Sequence, residues 1–209
     1  MASQTRRQRN ASGRASREEL VLVAEKLFAE EGIEAVSFRR VSLAAGQLGN
    51  GAVQYYFPDR DALTMAIMNL RAGGHDEMRT ELLDQLEGLD RIPIRGVVEA
   101  LVRPVATHID APNDHYVSFL DRYYAFFEYG PPIGENPFAP GMNRLNAAAR
   151  AALPEVAPDV VDRRMALIIR WMVSALAGIE RAARGGRLQG TVDEAVDEVI
   201  DLLTAAFSR

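Results

Sequence analysis

At 209 residues, with 48% hydrophobic and 25% charged side chains, the chain has room for one large or two small domains and is too mixed in composition to be fibrous or wholly disordered. It contains no cysteine, which excludes disulfides and thiolate metal sites. The net charge of -5 argues against a nucleic-acid partner only until its distribution is read: residues 1–60 hold nine Lys and Arg against seven acids, and five arginines precede the first acid, Glu18.

Residues 1–15 are polar, arginine-rich and without periodicity, the pattern of a disordered basic arm that either touches phosphates and the minor groove or merely solubilises. No apolar stretch follows these arginines, so a signal peptide is not expected and the protein is read as cytoplasmic. Ser16 with Glu19 forms a capping box that opens a first helix, whose Leu20, Val23, Ala24, Leu27 and Phe28 recur at helical spacing up to Gly32. Ser37 caps a second helix, with Phe38, Val41 and Ala45 facing inward and Gly46 at its end. Gln47 to Asn50 make a turn, and Gly51 to Tyr56 form a third helix too short to stand without neighbours. Asp59 caps a fourth, with Leu63, Ala66, Ile67 and Leu70 on one face. Residues 16–62 thus make a three-helix head, and residues 63–209 a second region.

Beyond Gly73 and Gly74 the pattern remains helical, with segments expected over Asp76 to Glu87, Ile94 to Ile109, Asp114 to Tyr129, Gly141 to Leu153, Pro158 to Arg184 and Val192 to Phe207. No period-2 stretch competes, so the fold class is all-α. The stretch GPPIGENPFAP, Gly130 to Pro140, cannot be helical and reads as a flap or a plain surface connection. The richest apolar run, Met165 to Ile179, is interrupted by Arg170 and Ser174 and is shorter than the roughly 20 residues a bilayer span needs.

Two helices joined by a tight glycine-containing turn, the second one short, match the helix-turn-helix arrangement that seats a recognition helix in the DNA major groove. Spacing alone does not separate this from an ordinary helical hairpin. The exposed chemistry favours DNA: Arg39, Arg40 and Arg60 sit near helix starts where they can reach phosphates, and Gln54 and Asn50 can each pair bidentately with adenine. Core packing accounts for Val53 and Phe57, competes for Tyr56, and fails for Tyr55, because a six-residue helix cannot bury every face.

Leu20 to Ile67 resembles the tetracycline-repressor (TetR) family of bacterial transcription regulators, through LFAEEG, the S-F-R-R-V start, A-A-G and G-A-V-x-Y-Y-F-P-x-R-x-A-L in order. The resemblance implies an all-helical homodimer with an N-terminal DNA-binding head and a larger C-terminal domain that binds a small molecule. Carried over by position, it implies DNA-facing roles for Ser37, Phe38 and Arg39, for Asn50, Gly51, Ala52, Gln54, Tyr55 and Tyr56, and for Arg60. Two departures stand out. The turn from Gly46 to Gly51 is one residue longer than the common family form, and Gln54 replaces a frequent tyrosine, so base preference cannot be borrowed.

In the second region, Pro158 to Arg184 is apolar almost all round at its middle and, with the last helix, would form a four-helix seam between two copies. An ordinary monomeric core is the alternative. The aromatic-rich segment Asp114 to Tyr129 suggests an apolar effector pocket, with Phe119, Tyr123, Phe127, Met142, Arg170 and Trp171 as candidate lining. Arg170 in LIIRWMV is expected to be buried and therefore to require an acid, Asp121 or Glu128, or an anionic effector oxygen. No catalytic motif is present, His75, His108 and His115 lack metal-ligand spacing, and no cofactor or metal is expected. The expected function is a dimeric, effector-released regulator, most often a repressor, on a pseudo-palindromic operator. Its rival is a small helical enzyme or sequestering protein that works through the C-terminal cavity.

Overall fold

A computed structural model of the chain describes residues 2–47, 51–126 and 140–208. Every regular element among them is an α-helix: α1 (Ala2–Glu31), α2 (Phe38–Ala44), α3 (Gly51–Tyr56), α4 (Arg60–Asp84), α5 (Ile94–Ala106), α6 (Tyr116–Phe126), α7 (Pro140–Ala152), α8 (Pro158–Arg184) and α9 (Val192–Phe207). They fall into two compact units, residues 1–70 and 71–209, with the boundary inside α4.

In the first unit the stripe of α1 buries Leu20, Ala24, Leu27 and Phe28, and Val41 of α2, Val53 of α3, Phe57 just after α3, and Leu63 and Ile67 of α4 complete the core. Burying each such side chain contributes roughly 1.5–3 kcal/mol. The predicted helix boundaries hold where a local cap sets them. Ser37 Oγ accepts the Arg40 N–H at 3.2 Å, and Asp59 Oδ1 accepts the Ala62 N–H at 2.8 Å. Gly46 ends α2 in a left-handed conformation, φ +69°, which costs a glycine little.

Two expectations require correction. Ser16 does not start the first helix, which already runs from Ala2 through the segment expected to be a disordered arm. Extending an existing helix fixes one residue per hydrogen bond, so the formed turns after Ser16 make upstream residues easier to add than to nucleate. Gly73 and Gly74 do not separate two helices either, since α4 continues through both to Asp84. Each glycine costs about 1 kcal/mol relative to alanine, too little to break a helix anchored by burial at Leu63, Ile67 and Leu83. Leu70, expected on the buried face, is 38% exposed.

The second unit is built on the packing of α5 with α9, α6 with α8 and α8 with α9, and α7 lies against α5 and α8. Helix α5 buries Val97, Val98, Leu101, Val102 and Val105 along one side and tolerates Pro104 near its end. Helix α8 starts on Pro158 and buries Val161, Met165, Ile168, Ile169, Met172, Val173 and Leu176. Helix α9 carries a complete capping box: Thr191 Oγ1 accepts the Glu194 N–H at 3.1 Å, and Glu194 Oε2 accepts the Thr191 N–H at 2.8 Å.

Candidate DNA interface and effector site

The head fixes α3 by two residues and displays it by two others. Val53 and Phe57 are fully buried, while Gln54 and Tyr55 are exposed, Tyr55 to 82%. Tyr56 lies between these extremes, its ring 5.0 Å from that of Tyr55 and perpendicular to it. The Arg17 guanidinium of α1 sits 5.0 Å from the centre of the Phe57 ring, so a cation-π contact backs the buried side. Gly51 is exposed, with open space where a Cβ would be. Residues 48–50 of the longer turn, Asn50 among them, and the Ala52 side chain lie outside the described residues.

The three arginines near helix starts, Arg39, Arg40 and Arg60, divide their labour. Arg39 is exposed on the first turn of α2. Arg40 is tied to Glu31 at the end of α1 through Nε at 3.2 Å and Nη2 at 2.8 Å. Arg60 donates Nη2 to the Val36 carbonyl at 3.3 Å and buries its Nε, which finds no acceptor. Ser37 is committed to its cap, and Phe38 is half-buried beside it. Arg39, Gln54 and Tyr55 are therefore exposed contact chemistry on the head.

In the second unit Phe119 and Tyr123 are buried in a row of rings along α6, Tyr116 to Phe119 and Phe119 to Tyr123 each 6.1 Å apart. Met142 is half-buried on α7. Phe127 lies outside the described residues. Arg170 and Trp171 do not join the row: both are exposed on α8, Trp171 to 52%. The expectation of a buried Arg170 is corrected because α8 turns its apolar face elsewhere and leaves Leu167, Arg170 and Trp171 outward. Asp121, one acid considered for Arg170, pairs with Arg181 at 3.2 Å.

A polar network that sequence spacing did not reveal runs beside the aromatic row. His75 of α4 meets His108, which follows α5, at 2.7 Å between their Nε2 atoms, and His108 Nδ1 lies 2.6 Å from Asp114 Oδ2. Asp114 also accepts the Tyr116 N–H at 2.9 Å and lies 3.5 Å from Arg71. Because the carboxylate takes the proton on His108 Nδ1, His108 Nε2 accepts and His75 Nε2 donates, which assigns one tautomer to each ring. Burial, reinforced by His108, Arg79 and Arg71, lowers the His75 pKa to about 3. Burial alone would raise the Asp114 carboxyl, but the His108 hydrogen bond, the Tyr116 N–H and the nearby charge of Arg71 hold it below its ordinary value. Glu180, fully buried on α8, pairs with Ser118 and with Arg184 at 3.1 Å, and burial pushes its carboxyl upward. No group of three or more His, Asp or Glu that could hold a metal ion occurs among the described residues.

The body also carries a groove of about 350 Å³ between the end of α4 and α7, lined by Leu83, Leu86, Leu89, Ile92, Ala147 and Ala151. Arg144 at its rim bridges Asp84 and Glu87. None of the predicted effector residues lines it.

A short helix pinned by buried residues, preceded by a capped helix and displaying polar side chains, is a helix-turn-helix arrangement. Residues 20–67, within the head, match the model for bacterial regulatory proteins of the tetR family. No curated protein matches the chain. Solved structures extend the likeness over most of its length. The chain is similar to native NalD, the secondary repressor of the MexAB-OprM multidrug efflux pump in Pseudomonas aeruginosa, at 16% identity over 93% of this chain and 97% of that one, TM-score 0.55. It is similar to a TetR family transcription regulator from Marinobacter aquaeolei VT8, at 17% identity over 96% and 97%, TM-score 0.53. A third structure, described as the molecular basis for control of antibiotic production by bacterial hormones, shares 20% identity over 92% and 97%, TM-score 0.52. The chain has the TetR-family regulator fold. No helix among the described residues is long and apolar enough to cross a membrane.

Proposed function

We propose that this protein is a ligand-responsive transcriptional regulator, in the first instance a repressor, which binds a pseudo-palindromic operator as a dimer and leaves it when a small molecule occupies the helical body. The observation that carries this reading is the display on α3, where Gln54 and Tyr55 stand outward while Val53 and Phe57 are locked in. Gln54 supplies the bidentate chemistry that reads adenine, and Arg39 supplies a phosphate contact. Gly51, Tyr56 and the start of α2 support the same surface.

Dimerisation is supported by the outward face of α8 and α9. Leu167 and Trp171 of α8 and Leu202 of α9 are each at least half exposed in the single chain. A second copy covering them would remove large apolar surface from water, and a two-fold pair of heads suits two half-sites about one helical turn of DNA apart. The test is a gel-shift with DNA flanking the protein's own gene. Specific retardation that survives competitor DNA is expected; its absence across several salt concentrations would favour a protein that works through its body alone.

A further inference from the structure

Arg79 is the deepest arginine described in the body, 5% exposed on α4, and its charge is incompletely met. Its Nη1 donates to Asp76 Oδ1 at 3.1 Å, whereas Asp76 Oδ2 accepts the Gly141 N–H at 2.9 Å in the first turn of α7. One carboxylate thus serves a guanidinium and the positive pole of a helix together. The Arg79 Nε is buried without any acceptor. Exposed Arg150 is better provided: Asp162 Oδ1 takes its Nε at 2.9 Å and Asp162 Oδ2 its Nη2 at 2.7 Å. That fork is the arrangement a carboxylate prefers, and at Arg79 it is left incomplete on the Nε side. Leaving a buried donor unmatched costs about 1–3 kcal/mol, a cost a ligand oxygen would remove.

The surroundings define what else such a ligand must carry. Tyr116, buried, and Tyr124, partly buried, belong to the aromatic row of α6 and lie near Arg79. Burial, with Tyr123 adding, pushes the Tyr124 phenol up to about 12, so it stays a neutral hydroxyl able to donate. On α7, roughly a turn and a half beyond Gly141, Asn146 Oδ1 is a second buried polar atom without a partner.

We propose that Arg79 is the anion anchor of the effector site and that the effector is a small aromatic carboxylate, its acid group on the Nε side of the guanidinium and its ring against α6. This rests on the ligand-responsive reading above and names its ligand class, moving the anionic contact from exposed Arg170 to buried Arg79.

Calorimetry with the full-length protein tests it using matched probes, benzoate and 2-naphthoate against benzamide and 2-naphthamide. The acids are expected to bind about tenfold or more tighter than the amides, the discrimination a charged hydrogen bond supplies. Arg79→Gln should abolish that preference by bringing acid affinity down to that of the matching amide, and Tyr124→Phe should weaken acid binding. Equal binding of acid and amide, no binding of either acid, or a preference that survives Arg79→Gln overturns the proposal. Should Arg79→Gln fail to fold by circular dichroism, the wild-type comparison and Tyr124→Phe decide, and a Tyr124→Phe variant with undiminished acid preference then overturns it. Operator release is scored separately by gel-shift: acids that bind selectively without releasing DNA support the site and count against the regulatory reading.

Discussion

The head and the body hold their functional chemistry in opposite ways. The head buries apolar residues to push polar ones outward, so that α3 is a display mounted on Val53 and Phe57. The body draws polar residues inward, placing His75, Arg79, Asp114 and Glu180 among aromatic and aliphatic side chains. An exposed reader pays little desolvation until DNA arrives and tolerates exchange of one polar group for another. A buried network has no such freedom, because each polar atom needs its partner at a fixed place. Substitutions of the side chains the head displays should therefore separate binding from stability, and those of the residues that mount them or of the body's buried polar groups should not.

The mount of the display is where the largest effect is expected. Phe57→Ala opens a cavity under α3 and removes the ring that Arg17 covers, which should cost about 3–5 kcal/mol in the head. Thermal unfolding by circular dichroism measures the loss, and operator affinity should fall by more than about a hundredfold, as that free energy implies. A variant that melts like wild type would mean that α3 is held by something other than its buried face.

The body's counterpart is a pH dependence. His75 has a folded pKa of about 3 against 6.5 unfolded, so between those values the unfolded chain holds the additional proton. Its contribution to stability is complete above about pH 6.5 and is lost as pH falls from there toward 3, by up to about 1.4 kcal/mol per pH unit. Asp114, held below its ordinary value, adds loss in the same direction at the acid end. Denaturant unfolding at pH 5 should give about 2 kcal/mol less than at pH 7, and His75→Gln should flatten the curve by about one proton. An unchanged slope in that variant would place the acid sensitivity elsewhere.

The same contrast explains what could be read from the chain. The signals that placed α2, α3 and the start of α4 are local: Ser37 caps three residues ahead, Gly46 stops the turn, and Asp59 caps three residues ahead. Their physics is complete within a few residues. His75 and His108 are 33 residues apart in sequence, and Asp76 lies 65 residues from the N–H it accepts, so no spacing rule connects them. Arg170 misled for the reverse reason: its apolar neighbours in sequence alternate around the helix, and only the packing of α8 shows which side is covered. Gly73, Gly74 and Ser16 were legible as punctuation, yet helix propagation overrode all three.

Within the head, two substitutions should sharpen the division between reading bases and holding phosphates. Gln54→Ala should cost about 1–3 kcal/mol at the preferred operator and relax base choice at one position, with little change on random DNA. Arg39→Ala should weaken every sequence alike and reduce the slope of log affinity against log salt by about one. Fluorescence anisotropy over a salt series distinguishes them, and exchanged signatures would reassign both residues.

The smallest effect is expected from Arg40, Arg39's neighbour. Charge alone would give the two residues the same role, but their surroundings differ: Arg40 forms a two-pronged pair with Glu31, joining α2 to the end of α1, and both partners are at least one-third exposed. Exposed pairs of this kind contribute under about 1 kcal/mol, since water screens them and two long side chains must be ordered. Arg40→Ala should therefore lower the melting temperature only slightly and leave the salt slope where it is. The decisive measurement is the pair of slopes. If Arg40→Ala reduces the slope as much as Arg39→Ala, the Glu31 pair opens on DNA and the guanidinium exchanges a carboxylate for a phosphate; Glu31→Gln should then tighten DNA binding, because its competing charge is gone. If the slope is unchanged, Arg40 braces the helix that presents Arg39, and adjacent arginines of one helix serve the interior and the interface separately.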